Sequence, residues 1–160
     1  MTRLSALIPL AVLIGVPAAG VAQQPAPAGA HDAIMVRASE LKWTPLEVAG
    51  FAPGATMTVV YGDPSKDGAY TLRLKMPDGY VIPAHFHPNP ENLTVLAGTF
   101  MLGHGATPDN ASLKDHVPGD YLFIPAKSPH FGRVSGETVI QLHGMGPFAI
   151  TLAQPTEMKK

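Results

Sequence analysis

Apolar and polar positions alternate along most of the chain after residue 31, in short runs broken by turn residues. Over 69–76, Tyr70, Leu72 and Leu74 fall on one face and Thr71, Arg73 and Lys75 on the other. That period of two is the pattern of a half-buried strand. The same reading predicts strands at 55–61, 81–86, 91–96, 99–102, 120–124, 130–134, 138–143 and 148–152. Turn sequences stand between them, among them Pro77-Asp78-Gly79, Pro88-Asn89-Pro90, Ala97-Gly98 and Ser135-Gly136. Short strands at regular spacing, with turn signals between, predict an all-β sandwich or closed barrel. A single short turn at 39–43 is the only helical signal, and 103–117 is the longest loop-like stretch.

Composition narrows the picture without changing it. The chain has 160 residues, 46% of them hydrophobic and 14% charged, which suits one folded domain rather than a disordered chain. A formal net charge of −1 leaves no basic excess to attract nucleic acid or an anionic membrane. Residues 1–22 read as a secretory signal peptide. Arg3 forms the positive start, 4–16 the apolar run, and Gly20-Val21-Ala22 the small residues at the cleavage site. The run is shorter than the roughly 20 apolar residues a membrane span needs, so a periplasmic or secreted protein with no span after cleavage is expected. Residues 23–54 would then be a leader and N-terminal arm, 55–152 the barrel and 153–160 a tail. There are no cysteines, which excludes disulfides and thiolate metal sites.

Candidate chemistry gathers in the middle of the chain. His85 and His87 are spaced i, i+2, so on a strand they share a face. Glu91 follows across the Pro88-Asn89-Pro90 turn, which can bring the next strand alongside the first. Two imidazoles and a carboxylate on one face form a 2-His-1-carboxylate arrangement with open metal positions. His130 opens a later strand that a jelly roll can carry across the barrel.

The spacing of these residues resembles the first cupin motif, which places Gly, His-x-His, Glu and Gly at fixed intervals. Gly79, His85, His87, Glu91 and Gly98 match it with every gap in register. Gly119, Pro125 and His130 match the second motif, where Lys127 stands in place of the usual Gly and Val134 in place of the usual Asn. The resemblance covers about residues 55–152. It implies a double-stranded β-helix, the jelly-roll cupin barrel, holding one divalent metal ion (Fe, Mn, Ni, Co, Cu or Zn) on His85, His87, Glu91 and His130. It further implies a small-molecule substrate and an oxidoreductase of the dioxygenase type. A metal-dependent isomerase or lyase is the alternative chemistry, and a non-catalytic ligand-binding cupin the alternative class. Glu91 is expected as ligand, as catalytic base, or as both in turn. A homodimer is expected by the same analogy.

Other residues carry weaker expectations. One face of the 138–143 strand looks into the pocket; if that face carries Gln141 and His143, they touch ligands or substrate, and otherwise they are rim groups. Arg73 either meets a substrate carboxylate or lies on a solvated outer face. Polar groups converging on the metal would favour catalysis, and purely apolar walls a binding role. Tyr121, Phe123, Phe131 and Phe148 are expected in the core, Trp43 on the outside or one end of the barrel, and His104 in a loop.

Overall fold

The computed structural model describes residues 33–153. The chain divides into two units, Met1–Ile34 and Met35–Lys160, and every described strand belongs to the second. The signal peptide expected over 1–22 and most of the tail expected over 153–160 lie outside the described residues. No helix among the described residues is long and apolar enough to cross a membrane.

The described residues hold nine strands: β1 (Thr44–Pro45), β2 (Thr56–Tyr61), β3 (Gly68–Met76), β4 (Val81–Phe86), β5 (Glu91–His104), β6 (Lys114–His116), β7 (Tyr121–Ile124), β8 (His130–Gly146) and β9 (Thr151–Leu152). All pairings are antiparallel. The two long strands β5 and β8 pair from Asn92↔His143 to His104↔His130 and form the spine. The first part of β8 takes β4 on its other side, and the later part takes β3. Likewise β5 takes β7 near its start and β6 near its end. A ribbon flanked by different strands at its two ends folds over into two facing layers. This is the jelly roll, and its double-stranded β-helix is the expected fold class.

Four expected strands are two real ones. The runs 91–96 and 99–102 are parts of β5, and 130–134 and 138–143 are parts of β8. In β5 the buried set runs Glu91, Leu93, Val95 and then Phe100, Leu102. The odd step from Val95 to Phe100 cannot occur in a regular pleat, and the register shifts on both sides of Ala97 absorb it. The loop expected over 103–117 holds the end of β5, a 3-10 turn at Asn110–Ser112 and β6. The short turn expected at 39–43 is a 3-10 turn at Ala38–Glu40.

Alternation then fills the interior. Tyr70, Leu72 and Met76 from β3, Ile140 and Leu142 from β8, and Leu122 and Ile124 from β7 are buried. The opposite faces of β7 and β8 point outward. Tyr121 (60% exposed) and Phe123 (55%) are therefore on the surface, not in the core as expected. Trp43 lies ahead of β1, half-buried, with Lys75 Nζ 4.6 Å from its ring centroid.

Candidate metal centre

Backbone pairing assembles the site. In the β4–β8 register His85 lies opposite His130, which puts two imidazoles face to face from residues 45 positions apart. His87 is one step past the end of β4, its carbonyl accepting the Lys127 N–H at 2.8 Å. Glu91 opens β5 after the two-proline turn. Ring centroids are 4.3 Å apart for His85–His130, 4.8 Å for His85–His87 and 5.3 Å for His87–His130. All four side chains are buried, and the ligand atoms of the three histidines lie within 4.8 Å of one another.

Each imidazole has one nitrogen committed. Nδ1 of His85 is 2.7 Å from the Pro83 carbonyl, Nδ1 of His87 is 2.8 Å from the Ala149 carbonyl, and Nδ1 of His130 is 3.0 Å from the Ser128 carbonyl. A carbonyl can only accept, so each Nδ1 carries the proton and donates it. The proton-free Nε2 of each ring is left to bind a metal, the tautomer that ligating histidines require.

Burial sets the charge of the cluster. It pushes His85 down to about 3, His87 down to about 4, and His130 downward. It pushes Glu91 up to about 8. The 3.1 Å contact between Glu91 Oε2 and His87 Nε2 is therefore not an ion pair at neutral pH. The protonated carboxyl donates to the bare imidazole nitrogen. His130 Nε2 stands 3.7 Å from the same oxygen. Glu91 Oε1, though buried, has no hydrogen-bond partner among the described residues. Three neutral nitrogens and one orphaned carboxyl oxygen fit a divalent cation, which would relieve both the unmet acceptor and the cost of a buried carboxylate.

A pH-dependent proton count follows. A ligating carboxylate must be ionised, so below about pH 8 metal uptake displaces the Glu91 proton. Adding Zn(II) to metal-free protein at pH 7 in weak buffer should release about one proton per ion, and markedly less at pH 9. A dye-based titration checks this; equal release at both values would show that Glu91 is not the source.

The cavity beside the cluster has a volume of about 40 Å³, room for a few waters at roughly 10–15 Å³ each. Its other walls are apolar, including Leu93, Ile124, Ile140, Leu142, Phe51 and Phe148. Tyr80 also lines it, but its hydroxyl donates to the Ala52 carbonyl at 2.7 Å. Gln141, His143 and Arg73 do not line this cavity. Ile140 and Leu142 of β8 turn inward, and on the other face Arg73 Nε, from β3, donates to Gln141 Oε1 at 3.0 Å. No arginine or lysine among the described residues meets the cavity.

Two contributors were missed in the sequence. Phe51 packs edge-on against His85 at 5.5 Å, and Phe148 stacks on His87 at 5.0 Å with planes 19° apart. Phe148 was expected as core only. His104 ends β5, opposite His130, rather than sitting in a loop. It is exposed and outside the cavity.

The two departures from the second motif have different consequences. Lys127 adopts φ 59°, the left-handed region where the pattern has glycine. That conformation costs a side chain about 1–2 kcal/mol, and glycine returns part of the gain as unfolded-chain entropy. Lys127→Gly should therefore stabilise the protein by about 0.5–1 kcal/mol in denaturant titration, with metal content unchanged. Val134 is buried and its backbone bonds to Tyr80 and Gly79, so an apolar side chain is accommodated in the core there.

Fold and site together define a cupin barrel whose three buried imidazoles can hold a metal ion. The model of the ChrR cupin-like domain matches residues 31–149, and the chain belongs to that family. Solved structures share the fold. Polyketide cyclase RemF from Streptomyces resistomycificus is 21% identical with a TM-score of 0.64, over 78% of this chain and 88% of that one. A candidate acetylacetone dioxygenase from Methylibium petroleiphilum PM1 is 17% identical with a TM-score of 0.60, over 79% and 85%. The DMSP lyase DddQ from Ruegeria pomeroyi DSS-3 is 22% identical with a TM-score of 0.56, over 71% and 61%. At these identities the likeness is one of fold. No curated protein matches the sequence.

Proposed function

We propose that this chain is an exported, metal-dependent oxidoreductase of the dioxygenase type, acting on a small, largely apolar molecule that presents oxygen atoms to the ion. The observation that carries the reading is the cluster of three imidazoles and one carboxyl, a donor set that would leave open positions on a six-coordinate ion, set among apolar walls. Such walls exclude bulk water and favour both dioxygen and a hydrocarbon body. With no cationic side chain in the walls, a carboxylate or phosphate substrate has nothing but the ion to meet.

His85, His87 and His130 would hold the ion through Nε2, with Glu91 as the fourth donor. A bound Fe, Mn, Ni, Co or Cu ion would supply redox chemistry, and any of the six divalent ions Lewis acidity. Glu91 divides its work between two oxygens. Oε2 lies beside the His87 and His130 nitrogens and Oε1 is unpartnered; whichever oxygen the ion leaves free would accept a proton from an enolisable substrate.

A second reading has its own support. The walls around the cluster are apolar and Gln141, His143 and Arg73 stand apart from the cavity, so Glu91 alone among the carboxyl groups is there for proton transfer, which favours a ligand-binding cupin or a simple Lewis-acid isomerase or lyase. The experiment is an oxygen electrode with metal-reconstituted protein and a panel of β-diketones and diols, the class suggested by the acetylacetone dioxygenase likeness. Oxygen uptake stoichiometric with substrate loss is expected. Turnover that continues unchanged under argon overturns the dioxygenase reading in favour of isomerase or lyase. Substrate recovered intact leaves a binding protein. Export belongs to the same proposal: protein recovered from the periplasm or medium should begin at residue 23.

A further inference from the structure

The three histidines are not held alike. His85 and His130 each donate to a carbonyl two residues earlier in the chain, Pro83 and Ser128. Their orientation is set locally. His87 donates to Ala149, 62 residues away. The ring stacked on it, Phe148, comes from the same distant stretch. Residues 147–150 belong to no strand, so no sheet ladder fixes that carbonyl in place. Pro147 lacks the N–H with which the chain could tie itself down there.

We propose that Asn89 is a positioning residue for this centre, clamping the stretch that orients His87. The inference rests on the metal-binding reading of the site. Asn89 Nδ2 donates to the Met145 carbonyl at 3.0 Å and lies 3.4 Å from the Pro147 carbonyl. Its backbone sits between Pro88 and Pro90, whose fixed φ angles stiffen the turn that carries it. The turn begins one residue after His87. Asn89 thus joins the ligand's own loop to the segment that bears the ligand's orienting carbonyl, closing a small loop of contacts: His87 to Ala149, through Phe148 and Pro147 to Asn89, and back. The Phe148 N–H, bonded to the Pro64 carbonyl at 2.7 Å, anchors the far side of the same segment.

The amide is suited to this in a way that an isosteric carboxylate is not. Both groups facing it are carbonyl oxygens, so only a donor fits. Asn89→Ala removes the clamp, and Asn89→Asp keeps the shape while setting a negative acceptor against acceptors. Groups that orient a ligating histidine are worth roughly 10–100-fold in metal affinity.

The test uses the full chain loaded with Co(II), whose visible absorption reports the arrangement of its ligands. Asn89→Ala should shift that spectrum and release cobalt to a chelator 10–100 times faster than wild type, with Asn89→Asp at least as fast. Asp78→Ala is the comparison. It deletes a side-chain bond of similar reach, to the Gly136 N–H at 2.7 Å, in a turn that carries no ligand. It should lower thermal stability while leaving spectrum and release rate unchanged. A folded Asn89→Ala with wild-type spectrum and release overturns the role of Asn89, as does equal acceleration in Asp78→Ala. Should Asn89→Ala fail to fold, Asn89→Ser retains a donor and should release cobalt at an intermediate rate; wild-type release there counts against the clamp. Wild-type protein that takes up no cobalt is a different result and overturns the metal reading itself.

Discussion

Stripping the metal with a chelator should lower the thermal unfolding midpoint by roughly 15 °C. An ion present at a thousand times its dissociation constant stabilises the folded state by about 4.1 kcal/mol. For a domain of this size each kcal/mol shifts the midpoint by roughly 4 °C. The stripped protein keeps a buried carboxyl and three buried imidazoles that have lost their common partner. His130→Ala should unfold near the temperature of stripped wild type and show no further response to chelator. Glu91→Gln separates charge from shape. Burial raises Glu91 to about 8, above its unfolded value, so stripped wild type loses stability as pH climbs through the carboxyl range towards 8. The glutamine variant has no such proton to lose and should keep its stability across that window. Metal-loaded wild type should also hold, because the ion compensates the charge. Calorimetry of the loaded, stripped and variant proteins at pH 6 and pH 9 gives the comparison. A midpoint indifferent to chelator, in protein carrying stoichiometric metal, would sink the claim that the ion is bound by the folded core.

How much of this was legible in the chain depends on which atoms carry the information. The strand at 69–76 was readable because its side chains alternate without interruption, and β3 is Gly68–Met76. The site location was readable because side chains at fixed spacing carry it: His85, His87 and Glu91 converge, and the β4–β8 register delivers His130. Continuity of the long strands was not readable. The exposed Ser135, Gly136 and Glu137 look like a turn, yet Thr99↔Ser135 and Ala97↔Val139 keep the ladder running past them. On β8 the alternation was plain but its direction was left open. Burial resolves it, since Ile140 and Leu142 gain by leaving water and Gln141 and His143 do not. The fixing of His87 was hidden for a different reason. It depends on the backbone carbonyl of Ala149, an atom that every residue possesses, 62 positions away.

The motif glycines give the other large expected effect, and here the sequence treats as equal two positions that the structure separates. Gly79 and Gly98 both adopt φ +73°. A side chain in that region costs about 1–2 kcal/mol by itself. At Gly79 a Cβ would meet nothing within 4 Å, so Gly79→Ala should cost only about 0.5–1 kcal/mol, the φ cost less the unfolded-chain entropy that leaves with glycine. At Gly98 a Cβ would overlap the Thr138 hydroxyl and come within 2.6 Å of the Glu137 carbonyl oxygen and 2.8 Å of Thr138 Cα. Two of those neighbours are backbone. Thr138 cannot retreat, being fully buried with its hydroxyl donating to the Gly136 carbonyl at 3.1 Å. Overpacking of this kind adds roughly 1–3 kcal/mol to the conformational cost. Gly98→Ala should therefore lose about 1.5–4 kcal/mol, at its upper end a large share of the 5–15 kcal/mol that holds a typical domain together. The position lies where β5 shifts register against β8, so the added methyl presses on the spine of the barrel where it bends. Urea titration of the two variants side by side decides the matter. Equal losses would mean that φ alone explains both glycines, and that the contact with Thr138 is slack.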